Sequence, residues 1–381
     1  MLYRLHGFPG RAAVASGIQH GGEAGLKAGR RLARAQKRES EGGRAGAGIS
    51  PEDIADHNSR VVLALLRRHG ALTRQELSAH LSLTEPAVTG ILKRLAAAGF
   101  VGQGRRETTD RYKAAEFSLL AASAHGCGLW LRPERIDVAV VDLKGAVVLQ
   151  QEVPPHGLDA AVRTIRDRFA ASLAGIGIAC HPAGEAAGLG PMQALADLPT
   201  FTVKDVEAAV TAERILGIGE PEGGFAVILV DEVVRAGLMT GGRFFRGVHG
   251  RAGCIGSMRP GREELTLDEV ASAASYRRHI EASGEAGTTD WTRRAASRLL
   301  DAVLALGGFV SPGAVLIGGS LPDDVLDMVI AMMIAERARK GSYFVPASWI
   351  PPIRKLSLPG CGVAHGAALL PFAELSLPKP R

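Results

Sequence analysis

The sequence predicts an α/β protein with two ordered parts, a small helical module followed by a larger domain in which strands and helices alternate. Between residues 51 and 120, three short helices with capping residues precede a hairpin. From residue 121 to residue 381, apolar strand-like runs alternate with amphipathic runs, which is typical of a mixed sheet covered by helices. At 381 residues and 46% hydrophobic content, the chain is long enough for two or three domains with sizeable cores.

Residues 1–50 form a segment of their own, rich in Gly, Ala and Arg and poor in large apolar residues. This composition predicts a disordered basic tail, because such a segment cannot bury enough apolar surface to fold. The tail contains nine Lys and Arg against three Asp and Glu, whereas the whole chain has a net charge of +6. The basic excess therefore lies in the N-terminal third, beside the helical module, which favours a nucleic-acid partner.

The cysteine pattern and the hydropathy exclude several classes of protein. No two cysteines form a CxxC pair, so neither a metal site nor a disulfide framework is predicted. No apolar run reaches the roughly 18 residues of a membrane span, and the N-terminus lacks the apolar core of a signal peptide. We therefore expect a cytoplasmic protein with no cofactor, no metal and no membrane partner. The cysteines are Cys127, Cys180, Cys254 and Cys361.

The first predicted helix covers residues 58–70 and ends at Gly70, as helices often do at a glycine. The second helix begins after Thr73, its predicted N-cap, and Glu76 three residues later completes a capping box. The apolar residues of the first helix, at near-helical spacing, are Val61, Val62, Leu65 and Leu66.

The third helix is predicted to begin at Thr84 as N-cap, to carry Pro86 in the first turn where proline is tolerated, and to end at Gly99. A strand begins at Phe100, and residues 112–119 return as the second strand of a basic hairpin. Three such helices with a basic hairpin make a winged helix-turn-helix, a shape that enters the major groove of DNA. The alternative is an ordinary three-helix bundle with a solvated charged face.

The DNA-binding prediction rests mainly on the two faces of the third helix. Four apolar residues share one face and are expected to pack inward: Val88, Ile91, Leu92 and Leu95. The other face is expected to approach base edges near its N-terminus and phosphates further along. The predicted base readers are Glu85, Ala87, Thr89 and Gly90, the phosphate contacts are Lys93 and Arg94, the wing contacts are Arg105, Arg106 and Arg111, and Thr73, Arg74 and Thr84 complete the set.

The larger domain contains two clusters of strands, near residues 126–153 and 225–247, and each predicts a meander followed by helices. This parallel predicts a duplicated domain of two lobes with a cleft between them. No exact sequence repeat accompanies it.

From about residue 58 to residue 372, the chain resembles the ROK (repressor, open reading frame, kinase) family, and within it the branch of transcriptional regulators. The resemblance implies a winged helix-turn-helix followed by a two-lobed, actin-like domain of the sugar-kinase (ribonuclease H-like) type. Six segments carry it in the family's order: the winged-helix segment, DVAVVDLKGAVV, VKDVEAAVTAE, RFFRGVHGRAGCIGSM, SPGAVLIGGSL and GCGVAHGAALL.

Departures from the family pattern affect both phosphate-binding loops. Kinases of the family have an Asp-x-Gly-Gly-Thr turn where this chain reads LWLRPERID, without glycine. Their Gly-Thr-Gly-x-Gly-x-Gly loop is replaced by VDEVVRAG, in which only Gly237 remains. Glycines allow backbone N–H groups to point at a phosphate, and Asp231 and Glu232 would repel one. We therefore expect no ATP binding and no kinase activity.

The resemblance also implies a sugar pocket, with the family's catalytic Asp at Asp205 and its preceding Asn replaced by Lys204. A lysine beside the carboxylate is expected to pair with it. The Glu and His of the sugar motif correspond to Cys254 and Ser257, the zinc-binding cysteines are absent, and a later sugar-binding Glu corresponds to Asp268. Two interpretations stay open. Either Lys204, Asp205, Ser257 and Asp268 bind a sugar or related effector, or the pocket is vestigial and Asp205 is a surface or capping carboxylate that opens a helix.

Joined to the winged module, the resemblance implies a DNA-binding transcriptional regulator, a repressor of carbohydrate-related genes that binds a palindromic operator as a homodimer or higher homo-oligomer. A sugar-type effector would act by shifting the lobes relative to the DNA-binding modules. The alternatives are an ATP-dependent sugar kinase and an effector-binding protein that has lost DNA binding.

Overall fold

The computed structural model describes residues 51–105, 114–180, 198–260, 264–341, 350–358 and 362–376. The predicted tail at residues 1–50, the wing residues Arg106 and Arg111, and Cys361 lie outside these ranges. The described residues from Glu52 onward belong to one compact unit.

The N-terminal module contains three helices and a three-stranded antiparallel sheet. Its elements are α1 (Pro51–His69), β1 (Leu72–Thr73), α2 (Arg74–Leu81), α3 (Glu85–Ala97), β2 (Val101–Arg105) and β3 (Ala115–Leu119). Strands β2 and β3 pair as the wing, so the prediction of a winged helix-turn-helix is confirmed. Strand β1, which pairs with β3, was not predicted, because two residues are too short to show a strand pattern.

Helix α1 begins at Pro51, so the predicted start near Asn58 was wrong. Proline fits the first turn of a helix, where its missing N–H has no partner to lose. The extension gave little periodic signal because Ile54 is its only large apolar residue.

The first lobe of the larger domain is built on a five-stranded mixed sheet. Its strand order is β6-β5-β4-β7-β8, with antiparallel pairing from β4 to β6 and parallel pairing from β4 to β8. Two helices complete the lobe. The elements are β4 (His125–Leu131), β5 (Ile136–Asp142), β6 (Val147–Val153), α4 (Leu158–Phe169), β7 (Leu173–Cys180), β8 (Thr200–Lys204) and α5 (Asp205–Leu216).

The second lobe repeats this topology. Its strand order is β11-β10-β9-β12-β13, again antiparallel on one side of the central strand and parallel on the other. The predicted duplication into two lobes is therefore confirmed at the level of topology. The elements are β9 (Phe225–Val230), β10 (Val234–Thr240), β11 (Arg243–Phe244), α6 (Leu267–Ala271), α7 (Ala273–Ser283), α8 (Thr288–Phe309), β12 (Val315–Gly319), α9 (Asp323–Gly341), β13 (Ile353–Lys355) and finally α10 (Val363–Ser376).

Helix α10 returns to the first lobe and lies between its sheet and α5. A Cβ built at Gly128 of β4 would lie 1.9 Å from the carbonyl oxygen of Ala364. One built at Gly366 would lie 1.9 Å from the carbonyl oxygen of Ala208 in α5. Both glycines are therefore needed for close approach, and α10 is in backbone contact with its neighbours on two sides.

One hydrophobic core joins the winged module to the first lobe. It contains Leu66 of α1 and Leu92 of α3 together with Leu143, which follows β5, and with Ala368 and Phe372 of α10. All five side chains are almost fully buried. Because the core is continuous, the position of the module is coupled to that of α10.

The cysteines in the described part of the chain differ in exposure. Cys127 in β4 is fully buried, and burial raises the pKa of its thiol to about 12, whereas Cys254 is exposed. Among the described residues, no helix combines the length and apolar character that crossing a bilayer requires. In those same residues, no group of three His, Cys, Asp or Glu side chains is arranged to hold a metal ion.

Candidate functional site

Local hydrogen bonds set the turn between helices α2 and α3. The Glu76 backbone N–H donates to Thr73 Oγ1 (3.3 Å), and the Thr73 N–H donates to the Glu76 carboxylate (2.7 Å). The predicted capping box is therefore confirmed. Helix α2 ends at Ser82, whose φ of 53° is left-handed. Thr84 holds the N-cap position of α3, but its side chain makes no capping hydrogen bond.

Helix α3 separates its residues as the sequence predicts. The apolar residues Val88, Ile91, Leu92 and Leu95 are buried in the module's core. Glu85, Ala87, Lys93 and Arg94 are exposed, and Thr89 and Gly90 are half-buried. The Thr89 hydroxyl donates to the carbonyl oxygen of Glu85 (2.8 Å), which holds the side chain against the helix.

No contact in the described part of the chain explains why a glycine, Gly90, stands in the middle of α3. A Cβ built there would meet no atom within 4 Å. A glycine inside a helix costs about 0.8–1.0 kcal/mol relative to alanine, and here no packing contact offsets that cost. A surface kept this flat permits close approach of another molecule.

Two of the other predicted DNA-contacting residues, Thr73 and Arg74, also make contacts within the winged module. Thr73 uses its hydroxyl in the capping box, donating to Glu76 at 3.0 Å. The Arg74 guanidinium lies 5.0 Å from the centre of the Phe117 ring, a cation–π arrangement. Arg105 is exposed at the end of β2. Arg106 and Arg111 lie outside the described residues.

A single turn of the first lobe connects the winged module to helix α10. Arg67 of α1 donates from Nε and Nη2 to the carbonyl oxygen of Leu143 (3.0 and 2.7 Å). His365 of α10 donates from Nε2 to the carbonyl oxygen of Gly145 in the same turn (2.8 Å). Burial lowers the pKa of Arg67 to about 10, so the guanidinium stays charged at neutral pH. Sequence reasoning missed both contacts, because each joins residues that are far apart in the chain (76 and 220 positions).

Of the predicted effector residues, Asp205 is in a setting that the sequence did not indicate. It is 0% exposed at the start of α5, and its Oδ2 lies 2.5 Å from Nη2 of Arg235. Arg235 is 5% exposed and comes from β10. The only signal for it was an arginine within an otherwise apolar strand. Asp231 lies 3.9 Å from the same guanidinium, and we call these three residues with Asp268 the Asp205 site.

Lys204 does not pair with Asp205, so that prediction was wrong. Its ammonium donates instead to the carbonyl oxygen of Gly250, because the last residue of β8 and the first of α5 direct their side chains differently. The alternative of a surface carboxylate was also wrong. Asp205 does open a helix, and Oδ1 accepts from the Val206 N–H (2.7 Å), but it is fully buried.

The remaining two predicted effector residues lie on the second lobe. Asp268 accepts from the Val234 N–H (2.6 Å), and a Cβ built at Gly256 would lie 2.1 Å from its carboxylate. Ser257 follows that glycine and is exposed. The structure therefore brings Asp205 and Asp268 towards a common cation, Arg235, rather than towards an open sugar pocket.

Burial dominates the electrostatics of the Asp205 site. It raises the pKa of Asp205 to about 6, although the guanidinium of Arg235 acts in the opposite direction. Burial also raises the pKa of Asp268. Two carboxylates, Asp205 and Asp231, thus lie within 4 Å of one buried arginine, whose Nε and Nη1 have no hydrogen-bond acceptor among the described residues. Glu232, expected to repel phosphate, is paired with Arg277 (2.6 Å).

A second, open region lies between the lobes. We call it the interlobe cavity; its volume is about 640 Å³, and its walls include Trp130, Arg132 and Arg135 from the first hairpin, Ser320 after β12, Lys355 of β13 and His365 of α10. Ser320 also donates to Asp231 (2.5 Å). The interlobe cavity and the Asp205 site therefore share a wall.

Comparisons with known proteins agree with this fold. Residues 57–110 match the profile of the MarR family. The chain is also 24% identical over 362 aligned residues to y4fQ, an uncharacterized protein of Sinorhizobium fredii, in an alignment that covers 83% of this chain and 90% of that protein.

Two solved structures show the fold of the larger part of the chain. A ROK family transcriptional regulator, a homolog of the E. coli MLC protein, matches with 19% identity and a TM-score of 0.65, covering 84% of this chain and 97% of its own. A ROK family glucokinase from Streptomyces griseus, solved with glucose and AMPPNP, matches with 18% identity and a TM-score of 0.51, covering 65% of this chain and 99% of its own. The predicted fold, a winged helix-turn-helix before a two-lobed domain of the sugar-kinase type, is confirmed.

Proposed function

We propose that this protein is a sequence-specific, DNA-binding transcriptional regulator, a repressor of carbohydrate-related genes, and that its two-lobed domain is not a kinase. The observation that carries the DNA-binding part is the outer face of α3. There Glu85 and Ala87 are exposed, and Gly90 stands in open space where a helix would otherwise favour a larger residue. A flat face near the N-terminal turns of such a helix suits insertion into a major groove.

In this proposal the residues around α3 have separate roles. Glu85, Ala87, Thr89 and Gly90 face the base edges, and Thr84 flanks them. Basic side chains position the module on phosphates, which carries affinity but little sequence information. The phosphate and minor-groove contacts are Lys93, Arg94 and Arg105, with Arg106 and Arg111 further along the wing and Thr73 and Arg74 at the start of α2.

The Asp205 site supports the view that no sugar is phosphorylated. A general base must reach the proton that it removes, within about 3 Å of the donor oxygen. Asp205 has no exposed surface, and Nη2 of Arg235 lies 2.5 Å from its Oδ2. The similarity to a solved regulator that includes the winged module points the same way, since the similar kinase spans a smaller share of this chain.

A gel-shift titration with DNA from the protein's own promoter region tests DNA binding. We expect sequence-preferring binding that weakens steeply with salt, and Lys93→Ala should lower the salt slope by about 1. Arg293→Ala is the matched control, because Arg293 is an exposed arginine on α8 of the second lobe, 69% exposed. Binding without sequence preference, or equal losses in both variants, would refute the proposal.

The kinase alternative is tested by ATP turnover with a panel of hexoses. We expect no phosphorylated product from the wild-type protein. Product formation that Asp205→Asn abolishes would establish the alternative and overturn the proposal for the larger domain.

We further propose that the regulator binds as a homodimer, because a palindromic operator offers two half-sites related by a two-fold axis. Light scattering of the free protein and of its complex with operator DNA measures the subunit number. One subunit per operator would contradict this part of the proposal.

A further inference from the structure

We propose that the interlobe cavity, and not the Asp205 site, is the effector site, and that its ligand is a sugar-sized hydroxy acid with one carboxylate. This inference rests on the proposed function as a regulator. The cavity's volume of about 640 Å³ lies within the range of roughly 300–1,000 Å³ that small-molecule sites occupy. Its walls come from both lobes, so that a ligand there contacts each of them.

Two residues of the cavity wall each carry a buried side-chain donor that has no acceptor among the described residues. Trp130 is 3% exposed, and neither its indole Nε1–H nor the Nε–H of Arg132 has a partner among the described residues. The Arg132 guanidinium lies 4.1 Å from the centre of the Trp130 ring. A buried donor left unpaired costs about 1–3 kcal/mol. Because both groups donate, the complementary ligand group is an acceptor.

Two helices also begin at this cavity. Asp323, the first residue of α9, and Val363, the first residue of α10, both line its wall. The first turn of a helix presents unpaired N–H groups and the positive end of the helix dipole, which together favour an anion. Both helices are long enough to have a full dipole. They reinforce what the unpaired donors indicate independently, that the ligand presents a carboxylate or similar group.

The charged side chains limit how much negative charge the ligand carries. Arg132 pairs with Asp137, and Arg135 with Glu152 (3.5 Å). On the opposite wall, Lys355 pairs with Asp323 (3.1 Å). Each cation on the wall is thus already paired with a carboxylate, and Lys355 with a second one, Asp327 (2.9 Å), so the wall has no net positive charge to balance a polyphosphate. A single carboxylate satisfies the donors, and hydroxyl groups donate to the wall carboxylates, which is the chemistry of an aldonic or uronic acid.

The cavity is connected to the DNA-binding module through α10. His365 lines the cavity and holds the turn at Gly145, and the same turn is held at Leu143 by Arg67 of the module. Further along α10, Phe372 belongs to the core that contains α1 and α3. A ligand that displaces the first turn of α10 therefore acts on both contacts, and we expect it to change the affinity for DNA.

Ligand binding is tested on the full-length protein by thermal shift and tryptophan fluorescence with gluconate, glucuronate, glucose and ATP. We expect one of the two acids to raise the melting temperature by several degrees and to change the fluorescence, and glucose and ATP to do neither. Trp130→Phe keeps an aromatic ring of smaller size but removes the indole N–H, and should weaken acid binding about tenfold, the loss of one hydrogen bond to a charged group. Trp291→Phe is the matched control, since the indole N–H of Trp291 already donates to Ser275 (3.0 Å).

The outcomes separate this inference from the proposed function. Acid binding that Trp130→Phe weakens and Trp291→Phe does not supports the site. No binding of either acid, or binding of glucose or ATP in their place, overturns it, while gel shifts of the same preparation report independently on DNA binding. Finally, Arg67→Met should leave the acid's dissociation constant unchanged and abolish its effect on DNA affinity. An unchanged effect would refute the route through the turn at Leu143–Gly145.

Discussion

The Asp205 site and the interlobe cavity lie on either side of Ser320, yet their charged side chains differ in exposure to solvent. At the Asp205 site, one long side chain from β10 fills the space, and Asp205 and Arg235 are removed from solvent. In the interlobe cavity, the charged residues stay partly accessible, each beside an opposite charge. The difference shows that one buried arginine from β10 is enough to close the Asp205 site, whereas the paired charges around the interlobe cavity leave it open.

The largest expected effect comes from breaking the buried pair. Asp205→Asn leaves the buried Arg235 with only the more distant Asp231, and Arg235→Met leaves both Asp205 and Asp231 without their cation. Each variant should lower the free energy of unfolding by about 3–5 kcal/mol. The double variant Asp205→Asn/Arg235→Met should recover most of this loss. Urea denaturation measures all three. Arg277→Met, which breaks an exposed pair with Glu232, is the control and should cost less than about 1 kcal/mol. Single variants no less stable than this control would mean that the Asp205 site is not closed.

A smaller effect is expected at the junction that serves the interlobe cavity. Arg67→Met removes two hydrogen bonds to Leu143 O and should lower the free energy of unfolding by about 1.5–3 kcal/mol, as expected for hydrogen bonds from a charged group. Arg68→Met, at the exposed neighbouring position, should change it little. Denaturation followed by a probe in the winged module provides the measurement. Equal losses in the two variants would show that Arg67 does not anchor the module.

A comparable effect is expected from the pH dependence of stability at the Asp205 site. The pKa of Asp205 is about 6 in the folded protein and about 3.9 in an unfolded chain. Between these values the folded state holds a proton that the unfolded state releases, so this group's contribution to stability falls as the pH rises from about 4 to about 6. Melting curves across that window should show a steeper decline for the wild type than for Asp205→Asn/Arg235→Met. Parallel profiles would contradict the assignment.

The features that the sequence predicted correctly depend on neighbours in the chain. The capping box of Thr73 and Glu76 spans one helical turn, and the inward face of α3 follows from spacing alone. The predicted order of strands and helices in the larger domain also agrees with the structure, because the alternation of strand-like and helical patterns is visible along the chain. The start of α1 was missed because the residues before Asn58 lack a periodic apolar signal.

The chemistry of the larger domain could not be read in the same way. Arg235 reaches Asp205 only because the β9–β10 hairpin lies beside the start of α5, and no local pattern encodes that approach. Lys204 is adjacent in sequence and was expected to be the partner, but its direction at the end of β8 carries it to Gly250. The interlobe cavity is formed by two lobes and α10, which are distant in sequence. The sequence alone therefore could not show that Trp130 and Arg132 line a cavity.

The buried thiol of Cys127 has a practical consequence for following these motions. With a pKa of about 12, the thiol contains almost no thiolate at neutral pH, and an alkylating reagent reaches it only when β4 and the overlying α4 separate. Exposed Cys254 reacts at once and marks the start of the reaction. The rate at which Cys127 is modified therefore reports how often the first lobe opens, and mass spectrometry can measure it without any substitution in the sequence.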